Sequence, residues 1–174
     1  MLSLNKESDF SEMVKNFENT GRGQILVEKV RKNIISDYGV VNINKRNFFK
    51  SRSHKILDLV EKPSISKTPS NFRIVGRYIV PYEILKSLES TKPDRNKEIQ
   101  LTDAIKMQVK SGTHEFEAFL SNSKIFDCGS IKGFLGANVL AASKDKVLKK
   151  YLKDLIIHSP GGGIGRHKGL KIPR

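Results

Sequence analysis

Few residues of this 174-residue chain are typed and spaced for chemistry. Glu61 and Lys62 stand side by side ahead of Pro63, a carboxylate and an ammonium at the end of an apolar run. Taken alone they read as an exposed ion pair at a strand end, worth little. Asp127, ahead of Cys128 and Gly129, reads as a turn residue making an Asx hydrogen bond. Gly39 and Gly76 read as positions of backbone geometry. Cys128 has no second cysteine to pair with and reads as a small buried residue rather than a nucleophile. His54, His114, His158 and His167 lack the paired Cys or His spacing of a zinc site. The glycines between Gly161 and Gly169 invite comparison with a phosphate loop, but Gly165 is not followed by Lys-Ser or Lys-Thr and no strand precedes it.

Composition bounds what surrounds these residues. A hydrophobic content of 37% with 29% charged residues suits a globular domain with a real core and argues against wholesale disorder. No apolar run is long enough to span a bilayer, and Met1 to Phe10 has no apolar core of the signal-peptide kind, so a cytoplasmic setting without membrane is expected. The net charge of +14 points either to a polyanionic partner or to lysines spread over solvated faces. The spacing of Lys144, Lys146, Lys149, Lys150 and Lys153 along one helical stretch favours solvated faces, and no aromatic-basic pattern for stacking bases accompanies it.

The elements that must position the candidates alternate between strand and helix. Asp9 as N-cap with Glu12 three residues on predicts a helix closed by Gly21 and Gly23, its Met13, Val14 and Phe17 facing a core. Strands are predicted at Gln24 to Glu28, around Val40-Val41, at Lys55 to Val60 and, largely buried, at Phe72 to Val80. Asn42 to Ser53 reads as a hairpin loop, and Pro63 biases Lys62 toward an extended conformation. Helices are predicted at Tyr82 to Leu88 and at Leu101 to Val109, the second capped by Gly112. Phe116 to Leu120 reads as a half-buried strand, Lys124 to Gly129 as a short strand running into a turn, and Ile131 to Ala142 and Val147 to Ile157 as two helices. This alternation predicts a layered α/β domain. Residues 158–174 change abruptly to a basic, glycine-rich composition and read as a disordered tail.

Four segments stand out together: Tyr38-Gly39-Val40-Val41; Leu59-Val60-Glu61-Lys62-Pro63; Ile74-Val75-Gly76-Arg77-Tyr78, followed by Glu98-Ile99-Gln100-Leu101-Thr102-Asp103-Ala104-Ile105; and Phe126-Asp127-Cys128-Gly129. In this order and spacing the chain resembles the bacterial UTP–glucose-1-phosphate uridylyltransferases, from about residue 8 to residue 157. The resemblance implies an incomplete Rossmann-like nucleotidyltransferase layer fold, with a mixed sheet flanked by helices, over residues 1–157. It also implies roles. Glu61 would accept hydrogen bonds from glucose hydroxyls, as a two-oxygen acceptor can. Lys62 would pair with the phosphate of glucose-1-phosphate and act in catalysis, as a compact cation can. The backbone at Gly39 would contact the sugar, Gly76 falls among the substrate-binding positions, and Asp127 would help hold Mg²⁺, for which a carboxylate is a suitable hard ligand. Glu98 to Asp103 reads as structural, opening a helix with Leu101 buried.

The departures carry equal weight. The family's glycine-rich nucleotide loop and its second metal-binding Asp are not found among these residues. The expected partner is therefore glucose-1-phosphate, with UTP only if a nucleotide-binding segment is supplied, and the chain alone is expected to have little or no uridylyltransferase activity. An open sheet edge and apolar helix faces are also expected, with marginal stability and dependence on a homo-oligomer or a complementing N-terminal fragment. A non-catalytic sugar-phosphate-binding or regulatory module is the alternative. A basic nucleic-acid binder ranks last, since no base-reading motif appears.

Overall fold

The computed structural model describes residues 8–44 and 51–157, which form two compact units dividing between Ile125 and Phe126. The tail expected at residues 158–174 and residues 45–50 of the expected hairpin loop lie outside the described residues.

The first unit begins with α1, Asp9–Thr20. Its N-cap is Ser8 rather than Asp9: the Ser8 hydroxyl accepts a hydrogen bond from the Ser11 amide at 3.1 Å. Gly21 ends the helix at a φ of 67°, and its N–H donates to the Phe17 carbonyl at 2.7 Å. That left-handed cap is what glycine supplies without a Cβ penalty. Five strands follow: β1 (Gly23–Lys29), β2 (Val40–Ile43), β3 (Ser53–Val60), β4 (Phe72–Ile79) and β5 (Phe116–Leu120). A 3-10 helix, Lys32–Asp37, joins β1 to β2. Between β4 and β5 lie α2 (Ile84–Ser90) and α3 (Leu101–Ser111), the latter capped by Gly112 at a φ of 71°.

The sheet is mixed, in the order β1-β4-β2-β3-β5, with β5 lying parallel to β1 and every other pair antiparallel. It closes into a barrel, so the open edge expected from sequence is not present among the described strands. The cause is β3. Its last residues pair with β2, from Val60 opposite Val40 to Ile56 opposite Ile43, while Ser53 to Lys55 pair with β5. Closure removes the unpaired backbone that an edge would present.

Burial follows from closure. Ile25 and Val27 of β1 join Val41, Ile56, Leu59, Ile74, Phe116 and Ala118 in the main core, together with Ala104 and Ile105 of α3. Leu26 points the other way and packs with Met13 of α1 and Phe119 of β5. Strand β5 is therefore covered on both faces rather than half-buried. Strand β4 is buried only over Phe72 to Ile74, because a bulge interrupts it: Ile25 faces Tyr78 and Val27 faces Ile74. Gly76 sits in that bulge at a φ of 75°.

Two buried carboxylates tie α1 to the barrel. Asp9 is 1% exposed, ion-pairs with Arg52, and accepts from the Ser121 hydroxyl at 2.7 Å. Arg52 also donates to both Glu12 oxygens at 2.8 Å and to the Leu120 carbonyl, and lies over the Phe119 ring at 4.6 Å. Glu117 accepts from Ser53 Oγ at 2.6 Å, Asn16 Nδ2 at 2.9 Å and Arg22 Nη1 at 2.9 Å.

The second unit holds α4 (Ile131–Lys144) and α5 (Lys146–Ile157), packed against each other. The short strand expected at Lys124 to Gly129 is absent apart from an isolated bridge at Lys124; residues 128 and 129 form a turn, because Asp127 and Ser130 bind the local backbone instead. Cys128 is exposed, which corrects the expectation of a buried thiol.

Burial pushes the Asp9 and Glu117 carboxyls up, but hydrogen bonds outweigh it and both titrate below the usual range; Arg52's charge adds to the effect at Asp9. Their contribution to stability is thus full above the ordinary carboxylate range and is lost as pH falls through the depressed folded values. Arg52→Met leaves Asp9 buried without its cation and is expected to cost about 3 kcal/mol in urea unfolding at pH 7. The gap between variant and wild type should narrow in acid, where Asp9 is protonated.

Candidate functional site

Strand β3 delivers Glu61 and Lys62 immediately past its last residue, Val60. Glu61 is half-buried and Lys62 exposed. Lys62 adopts a φ of 41°, in the left-handed region, rather than the extended form expected before proline. A non-glycine residue pays roughly 1–2 kcal/mol for that conformation.

Three chain segments meet at the Glu61 carboxylate. The Thr102 hydroxyl, in the first turn of α3, donates to Glu61 Oε2 at 3.0 Å. Gly39, just ahead of β2, leaves the room this carboxylate occupies. A Cβ there would lie 2.9 Å from Glu61 Oε2, 3.0 Å from Ile74 Cδ1 and 3.4 Å from Thr102 Cγ2. The Gly39 carbonyl is engaged by the Ile74 amide at 2.8 Å, which fixes that backbone against β4. Tyr78 lies within electrostatic reach: burial, then the Glu61 charge, pushes its hydroxyl up to about 12. It therefore stays a hydrogen-bond donor at neutral pH.

Asp94 lies within electrostatic reach of Lys62. Asp94 accepts from the Asn96 amide at 2.8 Å, the Glu98 amide at 3.0 Å and Gln100 Nε2 at 2.9 Å. Its carboxyl titrates below the usual range through those bonds, the Glu98 amide first, with the nearby Lys62 charge contributing.

Gly39 and Glu61 are thus in contact, with Lys62 next in chain. Gly76 stands in the β4 bulge, with open space where a side chain would sit, so backbone conformation is what its glycine serves locally. Asp127 belongs to the second unit and is described there by itself. Its Oδ1 accepts from the Gly129 amide at 3.0 Å, and its carbonyl accepts from Ser130 Oγ at 3.0 Å. Gly133 permits this turn, because a Cβ there would meet the Asp127 carbonyl oxygen at 1.9 Å. Among the described residues no group of three or more His, Cys, Asp or Glu could hold a metal. Mg²⁺ is usually held by one or two carboxylates with substrate phosphates and water, so Asp127 suits one position of such a set and does not complete it.

Sequence reasoning missed Thr102 and Tyr78, although both lie inside quoted motifs. Thr102 was read with a structural helix start, and only its partner 41 residues away marks it out. Because the nearest obstacle to a Cβ at Gly39 is the movable end of Glu61, Gly39→Ala is expected to lower stability by no more than about 1 kcal/mol. It should displace the carboxylate from Thr102, which a crystal structure of the variant would show directly.

The nucleotidyl transferase family profile matches residues 4–144. UTP–glucose-1-phosphate uridylyltransferase of Haemophilus influenzae is 38% identical over 151 residues, covering 87% of this chain and 50% of that protein. The Escherichia coli K12 protein of the same name is 38% identical over 133 residues, covering 76% of this chain and 43% of its own length. The solved UTP-bound UGPase from Acinetobacter baumannii superposes with a TM-score of 0.75 at 33% identity, over 90% of this chain and 52% of that one. UDP-glucose pyrophosphorylase complexed with UDP-glucose gives a TM-score of 0.72 at 30% identity, over 88% of this chain and 52% of that one. The chain spans about half the length of the curated relatives it matches. With its mixed sheet, flanking helices and motif residues in these positions, it belongs to the nucleotidyl transferase family.

Proposed function

We propose that the first unit forms the sugar-phosphate side of a uridylyltransferase site that takes glucose-1-phosphate as acceptor and UTP as nucleotide donor. One observation carries the reading. Glu61 is held by Thr102 in the space that Gly39 vacates, beside the exposed cation of Lys62 at the end of one strand. A fixed carboxylate next to an ammonium matches a molecule with hydroxyls at one end and a phosphate at the other. The names of the relatives point to the same pair of substrates.

In this reading Glu61 accepts hydrogen bonds from sugar hydroxyls and so orients the ring. Lys62 neutralises the phosphate whose oxygen attacks the α-phosphorus of UTP in line, with pyrophosphate leaving. Such a reaction asks alignment and charge neutralisation of the protein, and little covalent work. Mg²⁺, when bound, would supply further neutralisation of phosphate charge, with Asp127 as one of its carboxylate ligands. The contacts to uridine and triphosphate require a glycine-rich loop that these residues do not include, so the reading assigns UTP binding to a supplied segment. A cytoplasmic setting is part of the same proposal. A second reading, a sugar-phosphate-binding module that works only with a partner chain, is favoured by the apolar residues exposed on the second unit, among them Ile131 at 88% and Val147 at 76%.

Calorimetric titration of glucose-1-phosphate into the 174-residue chain tests the proposal. Saturable binding is expected. Lys62→Ala should weaken it by about 10- to 100-fold, the loss of a charge-assisted hydrogen bond. Glu61→Gln should weaken binding of the sugar phosphate and leave any response to inorganic phosphate unchanged. Wild-type binding that neither substitution alters would refute the assignment.

A further inference from the structure

The geometry points to Thr102 as a positioning residue for substrate recognition, acting through Glu61; this rests on the sugar-phosphate reading of the site. Thr102 is 5% exposed, so its hydroxyl proton needs an acceptor within the protein, and Glu61 Oε2 at 3.0 Å is that acceptor. One donor on one oxygen pins the carboxylate while leaving Oε1 and a second lone pair of Oε2 for a ligand. Thr102 also stands in the first turn of an 11-residue helix, where the positive end of the helix dipole favours a neighbouring carboxylate.

The methyl group has a separate task. Thr102 Cγ2 lies 3.4 Å from where a Cβ of Gly39 would be, so it lines the same small space. β-Branching leaves the Thr102 side chain few χ1 choices, which also aims the hydroxyl. The half-buried Glu61 side chain has three rotatable bonds, and without this donor it would search several rotamers. A ligand would then have to immobilise it on binding. The consequence is specific: Thr102 governs affinity for the hydroxyl-bearing end of the ligand and has no part in holding its phosphate.

Two substitutions separate the two groups of the side chain. Thr102→Val keeps the β-branched methyl and removes the donor; Thr102→Ser keeps the donor and removes the methyl. In titrations of glucose-1-phosphate into the 174-residue chain, Thr102→Val should bind about tenfold more weakly, while Thr102→Ser stays within about threefold of wild type. Any binding of inorganic phosphate should be the same in all three proteins. The decisive comparison is the double variant Glu61→Gln/Thr102→Val, which should bind no more weakly than Glu61→Gln alone, because Thr102 acts only through the carboxylate. Full additivity in the double variant, or wild-type affinity in Thr102→Val, overturns the inference. If Thr102→Val fails to fold by circular dichroism, Thr102→Ala takes its place with the same expectation. A Glu61→Gln protein that binds like wild type sinks the sugar-phosphate reading itself, and the inference with it. That result differs from one in which Glu61→Gln weakens binding and Thr102→Val does not.

Discussion

The parallel pairing of β5 with β1 is the constraint from which the rest follows. Gly23 to Val27 lie opposite Phe116 to Leu120, and the other edge of β5 takes the first residues of β3. A sheet that would otherwise end at β3 and β5 becomes a closed barrel, and no described strand is left as an edge. Closure also fixes where β3 finishes. Its last residue, Val60, pairs with Val40, which brings Glu61 next to Gly39, just ahead of the neighbouring strand. Helix α3 packs along β3 and sets Thr102 against the same carboxylate. The candidate site therefore depends on strand register, and a slip of one residue between β2 and β3 would separate Glu61 from Gly39.

Outside the barrel, polar groups do what a larger core would do elsewhere. Helix α1 contributes Met13 to the cluster with Leu26 and Phe119, against which Val75 and Ile79 also pack. The paired carboxylates complete the attachment. Asp9 with Arg52 and Glu117 with Arg22, Asn16 and Ser53 are satisfied by several donors each, the condition under which buried charge is tolerated. These pairs join residues far apart in the chain, so they hold α1 and the starts of β3 and β5 in one arrangement.

What the sequence made legible was local. Gly21 and Gly112 ended helices where they were expected to, since each stands at a left-handed cap that other residues enter at a cost. The strand at β1 and the helices at α3, α4 and α5 were legible from apolar runs and spacing. Local bonding by Asp127 and Ser130 replaced one expected strand; in other misses a distant partner decided the outcome. Asp9 has the residue type of an N-cap, yet Arg52 draws it inward and Ser8 caps instead. Gly76 looked like part of a continuous strand, but the pairing with β1 makes it a bulge. In the site, Glu61, Lys62 and Gly39 were legible through motif resemblance, whereas Thr102 and Tyr78 acquire meaning only when the barrel brings Glu61 to them.

In the proposed reading Glu61 and Lys62 divide a sugar phosphate between them, and a crystal structure of the chain soaked with glucose-1-phosphate tests it. Sugar hydroxyls are expected within hydrogen-bond distance of the Glu61 carboxylate, with Thr102 still bound to Oε2 and the phosphate against the Lys62 ammonium. A sugar phosphate bound elsewhere on the first unit, with Glu61 and Lys62 untouched, would contradict it.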